Sequence, residues 1–161
     1  MRLSKRWFSP LVVLATAMTA GTVQADTGNA GADVILPLAL TEDATLQFGQ
    51  ISGISGTVVI SSAGARSVTG SVVEEGGTFR AATWTVTGEP STNYDISYTA
   101  GSLTGPGTAM TIDTFTDSKG GTSALDGSGD DSFTVGATLT VGSPQTAGTY
   151  AGTYTITVAY Q

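Results

Sequence analysis

Between Phe133 and Val141 every second residue is apolar (Phe133, Val135, Ala137, Leu139, Val141), with Thr134, Gly136, Thr138 and Thr140 between them. The same period runs from Tyr150 to Tyr160, broken only at Gly152. A strict two-residue period places apolar side chains on one face of a pleated strand, which is what a half-buried β-strand requires and an α-helix cannot use. Shorter runs repeat it at Leu46 and Phe48, Val58 and Ile60, Val68 and Val72, Ala82, Trp84 and Val86, Tyr94, Ile96 and Tyr98, and Met110 and Ile112. Turn-forming groups separate these runs, among them Ser52-Gly53, Ala63-Gly64, Gly76-Gly77, Gly88-Glu89-Pro90, Gly105-Pro106-Gly107, Gly120-Gly121 and Gly127 to Gly129. Helix-period stripes are missing from the chain beyond its first residues. Many short strands at this spacing read as an antiparallel β-sandwich; a barrel is the alternative, and a solenoid would need a fixed repeat that the chain does not show.

The first 25 residues read differently. Arg2, Lys5 and Arg6 precede the apolar stretch LVVLATAMTAGTV, and Val23-Gln24-Ala25 offers a cleavage site, so residues 1–25 are expected to be a secretory signal peptide. No later segment approaches the roughly 20 apolar residues of a spanning helix, so no membrane span is expected. Residues 26–32 are small and polar and read as a flexible leader, leaving 33–161 as a single domain. Without the signal, Arg66, Arg80 and Lys119 face thirteen acids, a net charge of 3 − 13 = −10. That balance argues against nucleic acid or anionic lipid as partner. The chain has no cysteine and no histidine, which removes disulfides, thiol chemistry and the commonest general base and metal ligand.

Few residues remain for catalysis. Asp126-Gly-Ser-Gly-Asp-Asp131 is the densest carboxylate cluster, but it lacks the spacing of a calcium loop and reads as a solvated turn. Glu74 and Glu75 are adjacent, so on a regular strand they point to opposite faces and cannot act as a facing acid pair; a polar turn at Gly76-Gly77 is the plainer reading. Lys119, the lysine left to activate a serine, sits in DSKGG and is expected to be exposed. Trp84 alternates with Ala82 and Val86 and is expected in the core. The chain is therefore expected to be neither an enzyme nor a cofactor carrier.

The final residues resemble the C-terminal pattern of fimbrial subunits assembled by chaperone and usher: Tyr160 is penultimate, Val158, Ile156 and Tyr154 alternate before it, and Gly148 stands fourteenth from the end. Across nearly the whole domain the chain is similar to the bacterial exported family named domain of unknown function 4402. The resemblance rests on Leu46-Gln-Phe-Gly49, GTVVIS, Ala82-Thr-Trp-Thr-Val-Thr-Gly88, the Phe133 to Thr140 strand and Gly148 to Tyr160. It implies an immunoglobulin-like, pilin-like sandwich lacking one strand, a groove that a neighbour's extended segment fills by β-strand addition. In that reading Asp33 to Leu40 is the donor, with Val34, Leu36, Leu38 and Leu40 entering successive pockets, while Gly148, Tyr154, Ile156, Val158 and Tyr160 belong to the acceptor wall. The implied partners are like or related subunits and a periplasmic chaperone, and the implied location is a cell-surface fibre or the medium after transit through the periplasm. Two alternatives stay open: residues 33–40 complete their own domain, or the protein is a monomeric adhesin or carbohydrate-binding module.

Overall fold

The alternating runs form strands, and the way the strands pair divides the core in two. The structure, a computed structural model, describes residues 24–161 except Thr122 and Pro144. The expected signal peptide lies outside the described residues apart from Gln24 and Ala25. Two units are distinct. Residues 24–33 are exposed and form no regular element. Val34–Gln161 is all-β, with no helix among the described residues.

Its strands are β1 (Ala39–Ala44), β2 (Gln47–Ser52), β3 (Gly56–Ile60), β4 (Arg66–Gly70), β5 (Val73–Arg80), β6 (Ala82–Thr87), β7 (Asn93–Thr104), β8 (Met110–Asp117), β9 (Ser123–Ala124), β10 (Asp130–Val141) and β11 (Ala151–Tyr160). All pair antiparallel. The larger sheet runs β1-β6-β10-β8-β7-β11, with the β3–β4 hairpin joined to β10 and β9 joined to β7. β2 and β5 form a separate two-stranded ribbon. The antiparallel sandwich expected from the alternation is the fold.

β10 is the spine. Its first half pairs with β6 (Phe133 opposite Trp84) and its second half with β3 (Leu139 opposite Val58), on the same edge. Phe133, Val135, Ala137, Leu139 and Val141 are all buried, as the period demands. The division of β10 produces two hydrophobic clusters. One gathers Phe48, Val58, Ile60, Met110, Ile112, Leu139 and Val141. The other gathers Ala82, Val86, Tyr94, Leu125, Phe133 and Val135, with Leu38, Leu40, Tyr154, Ile156, Val158 and Tyr160 packed against it.

Several local expectations change. Gly76-Gly77 is not a turn but lies inside β5, at φ of 98° and 72°, where the β2–β5 register slips around Gln50. The glycines absorb a β-bulge that other residues would resist. Glu74 and Glu75 are therefore strand residues: Glu74 pairs with Arg66 and Glu75 accepts a hydrogen bond from the Ser52 hydroxyl. Val72 lies just outside β4 in the link to β5, and is still buried. Lys119 is not free in solvent. Its ammonium lies 2.6 Å from Asp131 Oδ1 and its side chain is 25% exposed, because the turn folds back over β10 beside Tyr94, whose hydroxyl donates to the other Asp131 oxygen at 2.9 Å. The Asp126 loop is the turn the sequence suggests: its carboxylate accepts the Ser128 and Asp130 amides, and these bonds, Asp130 first, hold its pKa below the ordinary aspartate value.

Candidate functional site: an open cleft between two unpaired strand edges

Pairing consumes only one edge of β2 and one edge of β11. Among the described residues β2 is bonded to β5 alone and β11 to β7 alone. Their other edges border the same cleft, of about 1030 Å³. One wall is Thr45 to Gly53, the other Gln145 to Tyr154, and Glu42 and Trp84 stand at one end. The floor is apolar: Leu103, Met110, Ile112, Leu139 and Val141. These floor residues belong to β7, β8 and β10, so the cleft opens directly onto the first hydrophobic cluster. An unpaired edge presents a row of backbone N–H and C=O groups, and two such edges over an apolar floor have the donors, acceptors and apolar pockets of a missing strand.

Each wall is held from behind. On the β11 side the backbones of β7 and β11 approach so closely that a Cβ at Gly152 would run into the Ser102 carbonyl, and one at Gly101 into the Thr153 carbonyl. Gly152, the gap in the alternation, is thus a close-approach glycine beside the register slip between Thr153 and Thr155. On the β2 side the anchor is Arg66 of β4. Its side chain is 3% exposed. Nη1 donates to the carbonyls of Phe48 and Gly76 at 3.1 Å and of Gln50 at 3.5 Å, Nη2 lies 3.3 Å from Glu74 Oε2, and the guanidinium sits 4.5 Å over the Phe79 ring. The bulges that free those carbonyls from the β2–β5 ladder are what give the guanidinium something to bind.

Polar atoms inside the cleft are left unsatisfied. The indole N–H of Trp84, the Tyr154 hydroxyl and both amide atoms of Gln145 are shielded from solvent and have no hydrogen-bond partner among the described residues. Burial pushes the Tyr154 pKa up; the nearby Trp84 N–H opposes this, though not in hydrogen-bonding geometry. Buried polar groups without partners are costly, so the lining of the cleft carries unsatisfied polar atoms beneath its surface. Trp84, expected in the core, packs against the second cluster and is half-buried, with part of it lining the cleft.

The far end of the sandwich is closed by the chain itself. Leu38 and Leu40 are half-buried and pack against the second cluster together with Ile156, Val158 and Tyr160. Tyr160 clasps the segment before them: its hydroxyl donates to the Leu36 carbonyl at 2.8 Å and accepts the Glu89 amide at 2.6 Å, while the Leu36 amide donates to Glu89 Oε2 at 3.0 Å. Val34 (97% exposed) and Leu36 (57%) are held on the surface. Of the residues singled out for strand addition, Gly148 and Tyr154 line the cleft; Ile156, Val158, Tyr160, Leu38 and Leu40 sit at the closed end; Val34 and Leu36 are exposed. The sequence marks Leu46, Phe48, Met110, Ile112, Leu139 and Val141 as strand residues but does not bring them, or Arg66, to one site. Only the pairing of β2 with β5 leaves its other edge free, and no local signal carries that.

A family model described as a domain of unknown function (DUF4402) matches residues 38–160. The chain belongs to that family. The DUF4402 match begins at Leu38, where the chain enters its own core, and so takes in both walls of the cleft and the closed end. No curated protein and no solved structure matches the chain. No helix among the described residues is long and apolar enough to cross a membrane.

Proposed function

We propose that this DUF4402 protein is an exported structural subunit of a bacterial surface fibre, without enzymatic activity, whose cleft accepts an extended strand from a like or related subunit. The observation that carries this reading is the pair of unpaired edges, β2 and β11, flanking one apolar-floored cleft. A strand laid there would bond both edges through its backbone and bury alternate side chains on the floor. Each inward side chain of Val or Leu size would contribute about 1.5 to 3 kcal/mol gross, and the backbone bonds to two edges would add to it. A periplasmic chaperone would supply such a strand before assembly.

The test is size-exclusion chromatography with light scattering on chains starting at Asp26 and at Leu38, each checked for folding by circular dichroism. The longer chain is expected to form a ladder of oligomers. The shorter one is expected to stay monomeric and to bind a peptide of residues 26–37. A longer chain that remains monomeric at high concentration, with no peptide binding by the shorter one, would sink the proposal and favour a monomeric adhesin or glycan-binding module using the same cleft.

A further inference from the structure

The donor expected from sequence, Asp33 to Leu40, includes two residues that are already in use. Leu38 and Leu40 pack into their own domain, and β1 pairs with β6 from Ala39 onward. What is available to another copy is the segment before them. Its alternation extends further upstream than the large residues suggest: Gly28, Ala30, Ala32, Val34 and Leu36 share one parity, and Thr27, Asn29, Gly31 and Asp33 share the other. On an extended strand this gives a face of small then large apolar residues and an opposite face carrying Thr27, Asn29 and Asp33, with Gly31 and Ile35 between and beyond them.

Resting on the strand-addition reading, we propose that the occupant of the cleft is the Gly28–Leu36 arm of a second copy, with Ala30, Ala32 and Val34 facing the floor and Leu36 at the mouth. Three observations converge on it. Length is the first: nine residues extend about 30 Å, and the six residues of the β2 wall about 20 Å, so the arm covers the wall with chain to spare. Chemistry is the second, because Val34, Ile35 and Leu36 form an exposed apolar run at 97%, 54% and 57%, and the side chains lining the base of the cleft, Leu103, Met110, Ile112, Leu139 and Val141, are apolar as well.

Direction is the third. β11 rises from the cleft at Tyr154 to the closed end at Tyr160, six residues or about 20 Å away. The backbone of Leu36 is fastened at that closed end, by Tyr160 and Glu89. Reaching its own cleft from that joint would use up about 20 Å of the arm's roughly 30 Å. A second copy's cleft imposes no such loss, and the clasp on Leu36 is left intact as the joint between neighbours.

The test is a parity scan in the exported chain. Charge is placed on one face by Ala30→Asp, Ala32→Asp and Val34→Asp, singly, and on the other by Asn29→Asp and Gly31→Asp. Light scattering across a dilution series reads the assembly constant. Substitution on the apolar face is expected to weaken assembly about tenfold or more, which corresponds to about 1.4 kcal/mol, and substitution on the polar face to leave it unchanged. Because the chain has no native cysteine, Gly31→Cys, on the outward face of the arm, in one copy mixed with Gln50→Cys, exposed on the wall, in another adds an independent readout, a mixed disulfide between arm and wall under oxidation. Assembly that persists whatever the arm carries, with no arm-to-wall disulfide, overturns this inference and leaves strand addition by some other segment standing. No assembly by the unsubstituted chain overturns both.

Discussion

Arg66→Met should loosen the β2 wall, and the structure sets the scale of the loss. The methionine keeps most of the aliphatic stem, so packing changes little, while every guanidinium contact disappears. Two bonds at 3.1 Å are charge-assisted, the one to the Phe48 carbonyl part-buried and the one to the Gly76 carbonyl exposed; at about 1.5 to 3 kcal/mol each they represent roughly 3 to 6 kcal/mol before solvent competes for the Gly76 carbonyl. The bond to Gln50 at 3.5 Å is marginal. The pair with Glu74, whose side chain is 39% exposed, is screened by solvent and adds well under about 1 kcal/mol. The contact over Phe79 adds about 0.5 to 1 kcal/mol. Water reaching the freed carbonyls recovers part of this, giving an expected net loss of about 3 to 5 kcal/mol. In urea, with a slope near 2 kcal/mol/M, the midpoint should fall by roughly 2 M. Arg66→Lys should recover less than half, since an ammonium cannot span carbonyls on two strands. A loss below about 1 kcal/mol in Arg66→Met would refute the reasoning, by showing that the bulged carbonyls are satisfied without the guanidinium.

Three further outcomes follow from the packing and the titrating groups. Leu40→Ala should cost about 1 to 2 kcal/mol in urea denaturation, near the low end for a leucine because the site is half-buried, whereas Val34→Asp should leave the midpoint within about 0.5 kcal/mol; equal losses would mean that Val34 is also part of the core. Burial, and then the 2.9 Å bond to Asp117, pushes the Tyr98 pKa well above its ordinary value of 10.0. The folded state therefore favours the neutral phenol, and its contribution is complete below pH 10 and is lost as the pH rises above it; Tyr98→Phe should move the alkaline unfolding midpoint upward, and an unchanged midpoint would remove Tyr98 from that transition. For Asp126 the sign is opposite: the depressed pKa gives a contribution present above about 3.8 and lost as the pH falls through the folded value, so Asp126→Ala should flatten acid unfolding below about pH 3.8 when followed by circular dichroism.

Legibility in the sequence depended on whether a property was local. Phe133 to Val141 and Tyr150 to Tyr160 display the same alternation, yet the first set is buried throughout and the core-facing residues of the second are only half-buried. β10 has strands on both sides and β11 has one; alternation records the pleat of a strand, not how many neighbours it finds. Gly76-Gly77 has the composition of a turn, and whether it makes a turn or a bulge was decided by Gln50 on the partner strand. Lys119 reads as a loop lysine because nothing near it in sequence announces Asp131, twelve positions on.

The sequence by itself determined the fold class, the strand faces, most turns, the charge balance and the exclusion of thiol and histidine chemistry, because each follows from residue type and two-residue spacing. The tertiary structure alone decided that β2 and β11 each keep a free edge, that those edges border one cleft, that Arg66 fastens one wall, and that Leu38 and Leu40 pack against the core while Val34 and Leu36 are left exposed. Those facts depend on pairings between residues tens of positions apart, such as Gln47 with Arg80 and Ala151 with Thr104. A strand's side chains encode its face; its free edge is backbone, alike at every residue but proline, and only the fold reveals which edge is left over.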